Sequence, residues 1–372
     1  MKLFIIAGEA SGDLHGSNLI LELKQLNQNI DIKAWGGDLM QKAGADILKH
    51  YEELAFMGFV EVVLNIRTIK ANFKKCRKDI EEYQPDVVLM IDYPGFNLRL
   101  APFIKKKNIP IVYYISPQIW AWKQSRIHQI KALVDKMLVI LPFEKDFYKK
   151  FGVDVDFVGH PLIDAITNDA NKHDESDKAS DKILALLPGS RKQEISKMLP
   201  IMLDSAKEFP DFTPILAGAP GIPNDFYNGV IGADQITIHR GGTYPLLKNS
   251  HMALVTSGTA TLESALLKVP EVVCYKGNYI SYLIAKKLVK VKYISLVNLI
   301  MDESIVKELI QKSCNKTLIV NELKKLESGV SRKTMLNDFD RLEAHLGGAG
   351  ASRKAAEAVF KTLQLKTSES TG

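Results

Sequence analysis

Short apolar runs alternate with helical stretches twice along this chain, and that alternation limits its fold more than any other feature. In the first half, residues 2–7, 32–35, 87–91, 111–115, 137–140 and 156–158 are apolar runs of strand length. Residues 11–26, 59–83, 96–107, 124–134 and 143–151 carry helical patterning between them. Uniformly apolar strands separated by helices belong in a parallel sheet covered on both faces. Residues 164–182 change character, being polar and rich in Asp, Asn, Lys and Ser, and read as a linker. A second set of strands follows at 183–187, 213–217, 235–239, 252–255 and 272–275, and after Ser304 the pattern reads as helical to about Leu365. The 372 residues suit two domains. The expectation is an α/β protein with two Rossmann-like parallel-sheet domains, 1–163 and 183–345, joined by the linker. A C-terminal helix and tail, 346–372, would pack back on the N-terminal domain or on a partner chain. Ligands of open parallel sheets bind beyond the carboxyl ends of the strands, so the site is expected in a cleft between the two sheets.

Charge distribution says more than net charge. Lys plus Arg is 49 and Asp plus Glu is 43, giving 49 − 43 = +6, too mild to indicate nucleic acid. Three windows, 62–78, 93–134 and 272–301, are basic and contain no Asp or Glu, which points to anionic partners such as phosphates or an acidic membrane surface. Solvated helix faces are the plainer explanation. Cys76, Cys274 and Cys314 are scattered and odd in number, as in a reducing compartment. The apolar start is too short for a signal peptide, and no stretch approaches the ~20 residues of a membrane span. A cytoplasmic protein, at most peripheral to a membrane, is expected.

Five motifs follow predicted strands. Ala7-Gly8-Glu9-Ala10-Ser11-Gly12-Asp13 opens a helix, where glycines allow close backbone approach and free N–H groups suit an anion or sugar hydroxyls. It is not GxGxxG, and its plain alternative is a turn with Ser11 as N-cap. In Met90-Ile91-Asp92-Tyr93-Pro94-Gly95-Phe96-Asn97, Asp92 ends a buried strand and is the only acid between Asp86 and Asp135. A partly buried carboxylate there suits general-base work, and helix capping is the alternative. Ser116-Pro117-Gln118-Ile119-Trp120-Ala121-Trp122-Lys123 crowds hydroxyl, amide and aromatic groups on a loop suited to sugar or acyl contact, or to plain packing. Pro188-Gly189-Ser190-Arg191 pairs a helix start with a cation, as diphosphate binding needs, but lacks the P-loop ending. Thr256-Ser257-Gly258-Thr259-Ala260-Thr261-Leu262-Glu263 is a second such cradle, with Glu263 one turn in to accept from ribose hydroxyls. Two anion-binding turns in one half favour a nucleotide diphosphate there. Asp154-Val155-Asp156 matches a metal-binding DxD spelling by chance, His160 closes the first domain, and the histidines show no metal spacing. No metal or cofactor is expected.

These five segments, in this order, resemble the lipid-A-disaccharide synthases, bacterial glycosyltransferases of the GT-B architecture. Further matching segments are Met57-Gly58-Phe59-Val60-Glu61-Val62, Leu141-Pro142-Phe143-Glu144, Phe157-Val158-Gly159-His160-Pro161 and Tyr293-Ile294-Ser295-Leu296-Val297-Asn298-Leu299. The resemblance implies a reaction between UDP-2,3-diacylglucosamine and 2,3-diacylglucosamine 1-phosphate that gives UDP and a β-1,6-linked tetraacyl disaccharide 1-phosphate. It also implies a metal-free enzyme peripheral to the inner membrane, with a swapped homodimer known in the family. It carries the important carboxylate onto Asp92, the phosphate-binding arginine onto Arg191, and the phosphate turn and its glutamate onto Ser257, Gly258, Thr259 and Glu263. A nucleotide-contacting asparagine falls on Asn298. Val297 stands where the family usually has Pro, Met301-Asp302 replaces a commoner Ala/Gly pair, and Gly95 stands where some relatives have Asp.

The base is therefore expected to be Asp92, with Glu9 and His15 as alternatives, and Arg191 is expected to stabilise departing UDP. Gly8, Ser11, His15, Met57, Phe59, Ser116, Gln118, Trp120, Gly189 and Ser190 are expected to bind substrate, beside the turn residues and Asn298. Apolar residues 57–66 followed by Lys70, Lys74, Lys75 and Lys78 make a candidate contact for an anionic inner-membrane leaflet. A UDP-sugar epimerase of the same architecture and a non-catalytic nucleotide-sugar binding protein are the rival readings.

Overall fold

The computed structural model describes residues 1–54, 66–170, 182–232, 234–277 and 292–371. The chain forms two compact units, Met1–Thr167 with Leu346–Gly372, and Asn168–His345.

The first unit is built on β1 (Lys2–Ala7), β2 (Asp31–Gly36), β3 (Asp46–His50), β4 (Val87–Ile91), β5 (Ile111–Tyr114), β6 (Lys136–Val139) and β7 (Asp156–Phe157). Their order is β3-β2-β1-β4-β5-β6-β7, and every neighbouring pair is parallel. β1 and β4 sit at the centre and are buried along their lengths except for Lys2, which is why they read as unbroken apolar runs. The crossovers are α1 (Ala10–Leu26), α2 (Asp38–Lys42), α3 (Ile66–Tyr83), α4 (Pro94–Lys106), α5 (Arg126–Leu133), α6 (Pro142–Lys149) and α7 (Pro161–Ala170). Three of them begin on proline, whose fixed φ suits the first helical turn and whose missing N–H is not needed there.

The second unit repeats the plan with β8 (Lys182–Leu187), β9 (Phe212–Ala217), β10 (Thr237–His239), β11 (Ser250–Thr256), β12 (Glu271–Tyr275) and β13 (Lys307–Ile310), in the order β10-β9-β8-β11-β12-β13, again all parallel. Its helices are α8 (Lys192–Ala206), α9 (Asn224–Ile231), α10 (Thr243–Lys248), α11 (Thr259–Leu266), α12 (Leu296–Met301), α13 (Lys316–Glu327) and α14 (Val330–His345). The last helix, α15 (Ala351–Thr371), belongs to the first unit and packs on α1 and β4. Asp164 of α7 holds its start, accepting from the N–H groups of Gly350 (2.6 Å) and Ser352 (2.7 Å).

Three expectations need correction. Residues 307–310 are a strand and not part of a helical run: β13 is an edge strand paired only with β12, and its Lys-Glu start hides the apolar signal. β3, an edge strand with no fully buried residue, was not expected at all. The linker read at 164–182 begins as helix, because Leu162, Ile163 and Ala165 are buried and anchor α7 as far as Ala170. Residues 171–181 lie outside the described residues, as do residues 57–65 of the candidate membrane segment, Met57 and Phe59 among them.

Candidate active site

Each sheet reverses its strand order at one point, and four of the five motifs leave the sheets there. In the first unit the reversal lies between β1 and β4, where Ala7 is in register with Ile91, so Gly8-Glu9 and Asp92-Tyr93 leave the sheet side by side. The Tyr93 ring fills the space against Gly8, and a Cβ on that glycine would come within 2.4 Å of it. Glu9, not Ser11, is the N-cap of α1; the helix starts at Ala10, so Ser11 lies exposed inside its first turn. Asp13 takes on a different task, accepting from the N–H groups of Gly37, Leu39 and Met40 and so capping α2.

Asp92 and Tyr93 are both left-handed, with φ of 43° and 48°, which is strained for side-chain-bearing residues and is a feature of functional turns. The turn is held from behind: the Asp92 carbonyl accepts from the Tyr113 hydroxyl (2.5 Å) and from the Asn97 amide (2.8 Å). Burial pushes the Asp92 carboxyl up to about 7, the negative charge of Glu9 adds to the rise, and the Tyr93 N–H works against it. His15, buried on α1, goes the other way: burial lowers it to about 4, and its Nδ1 has no partner among the described residues.

The loop after β5 divides its side chains. Buried Ser116 bonds the Tyr148 hydroxyl at 2.7 Å. The Trp120 indole N–H donates to Glu144 (3.3 Å) and its ring packs edge-on against Phe143. Glu144 also accepts from the N–H groups of Ile140 and Leu141 at the start of α6. Ser116 and Trp120 therefore brace the loop from within, whereas Gln118 and Trp122 face solvent.

In the second unit the reversal lies between β8 and β11, with Leu187 in register with Val255. Gly189 has φ of 106°, and a Cβ there would meet the Glu194 carboxylate at 2.7 Å. Ser190 is exposed, and Arg191 is the N-cap residue of α8, its guanidinium exposed and 3.4 Å from Glu194. Beside it, the Ser257 N–H donates to Cys274 O (3.3 Å) and the Ser257 hydroxyl to Ile294 O (2.9 Å). Gly258 and Thr259 open α11 at the surface, leaving its first N–H groups toward solvent. Burial raises the Glu263 carboxyl to about 7, and the Tyr244 hydroxyl of α10 donates to it. Sequence reading missed Tyr244, whose isolated aromatic in a short helix gives no pattern to find. Asn298 is fully buried: its amide donates to Val306 O and Glu308, and its carbonyl accepts from the N–H groups of Ile305 and Val306. Its side chain thus ties α12 to the approach of β13.

Two Rossmann-like units, each with a glycine-bearing turn at its switch point, define the GT-B type of α/β protein. A UDP-GlcNAc 2-epimerase from Neisseria meningitidis, solved bound to UDP-GlcNAc, shares this fold with a TM-score of 0.69, at 15% identity over 97% of this chain and all of that one. The glycotransferase of kitacinnamycin does so with a TM-score of 0.63, at 13% identity over 97% and 99%. The particular family follows from sequence: a family model described as lipid-A-disaccharide synthetase matches residues 3–361, and this chain belongs to that family. The lipid-A-disaccharide synthase of Trichlorobacter lovleyi is 37% identical to it over 374 residues, 98% of each chain. The chain is accordingly a glycosyltransferase of lipid A biosynthesis, and its likeness to the epimerase is one of fold.

Proposed function

We propose that the chain transfers 2,3-diacylglucosamine from UDP-2,3-diacylglucosamine to the 6-hydroxyl of 2,3-diacylglucosamine 1-phosphate. The products are UDP and the β-1,6-linked tetraacyl disaccharide 1-phosphate. The α-linked donor becomes a β-glycoside, so a single displacement suffices. The acceptor O6 attacks C1, its proton passes to a base, and the C1–O bond breaks with its electron pair leaving on UDP.

The observation that carries this reading is the Asp92 carboxyl, raised to about 7 on a strained turn at the switch point of the first unit. A base of that strength is partly ionised near neutrality and still holds a proton well, as general-base catalysis requires. His15, lowered to about 4, is too weak a base, and Glu9 acts through its charge on Asp92. In the second unit, Arg191 and the N–H groups opening α8 and α11 stabilise the diphosphate charge as it develops. Glu263 accepts from the ribose hydroxyls.

The acyl chains call for a membrane-side location. Arg67, Lys70 and Lys74 are exposed on α3, directly after the apolar segment 57–66, and suit the anionic cytoplasmic leaflet of the inner membrane. No helix among the described residues is long and apolar enough to cross a membrane. A homodimer through the C-terminal helix is part of the same reading. Sedimentation with anionic vesicles should weaken as salt rises; binding indifferent to salt and to lipid charge would remove the electrostatic contact.

The decisive test incubates the pure protein with the two diacyl sugars and seeks tetraacyl disaccharide 1-phosphate by mass spectrometry. Asp92→Asn should keep the fold, checked by circular dichroism, and lose about 10²–10⁴ in kcat. Near wild-type turnover in that variant would exclude Asp92 as the base.

A further inference from the structure

The tip of the loop after β5 carries Trp122 and Lys123, and Arg126 follows at the start of α5. Trp122 is 46% exposed, whereas Trp35 is fully buried. Both cations lean on this indole: Lys123 Nζ is 4.7 Å and the Arg126 guanidinium carbon 5.7 Å from its ring centroid. Several other lysines of the unit are neutralised by acids, Lys105 by Asp135, Lys107 by Glu81 and Lys136 by Asp156. Among the described residues, neither Lys123 nor Arg126 has a carboxylate within ion-pair distance. Lys123 is also left-handed, with φ of 55°, so the backbone is strained where it brings this charge to the ring. Two like charges beside one exposed aromatic ring repel each other, and an anion held near both would relieve that repulsion.

Position narrows the anion. β5 is the neighbour of β4, with Tyr114 in register with Ile91, so this loop leaves the sheet beside Asp92. Arg126 is close enough to Tyr113 to act on its phenol, and that phenol holds the Asp92 carbonyl. The cations therefore stand on the base's side of the first unit.

We infer that Trp122, Lys123 and Arg126 form the binding corner for the phosphomonoester of the sugar acceptor. This rests on the acceptor proposed above and adds the residues that read its phosphate. A phosphomonoester near neutrality carries close to two negative charges on three oxygens. The Arg126 fork can take two of those oxygens while Lys123 supplies a point charge. The indole then packs against the sugar. A phospholipid headgroup offers the same phosphate chemistry, and the experiment separates the two sources.

Wild type and a Lys123→Ala/Arg126→Ala double variant are assayed in neutral detergent micelles at saturating donor. The acceptors are 2,3-diacylglucosamine 1-phosphate and the same sugar without phosphate. The variant should show a KM for the phosphorylated acceptor raised at least about tenfold. Its KM for the dephosphorylated acceptor and its UDP Kd should match wild type. Arg126→Lys, which keeps the charge and loses the fork, should give a smaller rise and serves if the double variant does not fold. An equal rise for both acceptors, or none for either, overturns the assignment. So does an unchanged micellar KM together with lost binding to phosphatidylglycerol vesicles, which would give the corner to lipid headgroups. A wild type that makes disaccharide from both acceptors without discrimination overturns this inference alone. A wild type that makes none from either overturns the proposed transfer itself.

Discussion

At the residue scale, a carboxylate's chemistry here depends on which end of a strand carries it. Asp92 leaves the carboxyl end of β4, half-buried and next to Glu9, and is held at about 7. If it is the base, kcat/KM falls tenfold per pH unit below about pH 7, and a pH–rate profile should show that limb. Glu9→Gln removes a charge that raises Asp92 and should move the limb to lower pH without abolishing turnover. Glu271 opens β12 at the amino end of the strand and is fully buried, with the Ser264 hydroxyl as the polar group that offsets part of its burial. Burial pushes its carboxyl well up. The folded chain therefore holds a proton that the unfolded chain releases near the ordinary carboxylate value. The stability this provides is complete below that value and is lost as pH rises toward the folded one, at up to about 1.4 kcal/mol per pH unit. Glu271→Gln should flatten that slope in denaturant titrations between pH 5 and pH 8, by about 1 kcal/mol or more over the range; an unchanged slope would mean that another group carries it.

At the element scale, the turns that open α8 and α11 combine backbone donors with the exposed Arg191. Arg191→Ala should raise the UDP Kd by about tenfold or more, since hydrogen bonds to charged groups are each worth about 1.5–3 kcal/mol. Calorimetry checks this, and an unchanged Kd would move the diphosphate elsewhere. These turns were legible in the sequence because a buried strand must be uniformly apolar, so a following cluster of Gly, Ser and Thr marks its end. Asp92 was legible for the same reason. β3 and β13 were not, since an edge strand buries little and its polar residues imitate a loop or a helix face. The inward use of Ser116 and Trp120 was also hidden, because a hydroxyl or an indole is spelled the same whether it meets a ligand or a buried Glu144. Tyr244 reaches Glu263 from another helix, and no local pattern encodes that meeting.

At the scale of the whole molecule, the first unit is made from two separated stretches of chain. Asp164 fastens the second to the first by capping α15, and Arg353 adds an ion pair to Glu22 of α1 at 3.4 Å. Asp164→Ala should lower the unfolding free energy of this unit by about 0.5–2 kcal/mol, as loss of a helix cap does. Chemical denaturation followed by tryptophan fluorescence would measure it, because Trp35, Trp120 and Trp122 all lie in this unit. A stability equal to wild type would show that α15 is held by its packing alone. The two-stretch construction also sets an order of events on the ribosome. The first 167 residues emerge early, yet the surface of α1 that α15 covers stays bare until residues 351–371 have been translated. The second unit, whose residues are contiguous, is synthesised in between and can fold by itself. The half of the enzyme that is started first is thus completed last, and for most of its synthesis it carries an apolar surface for chaperones to shield.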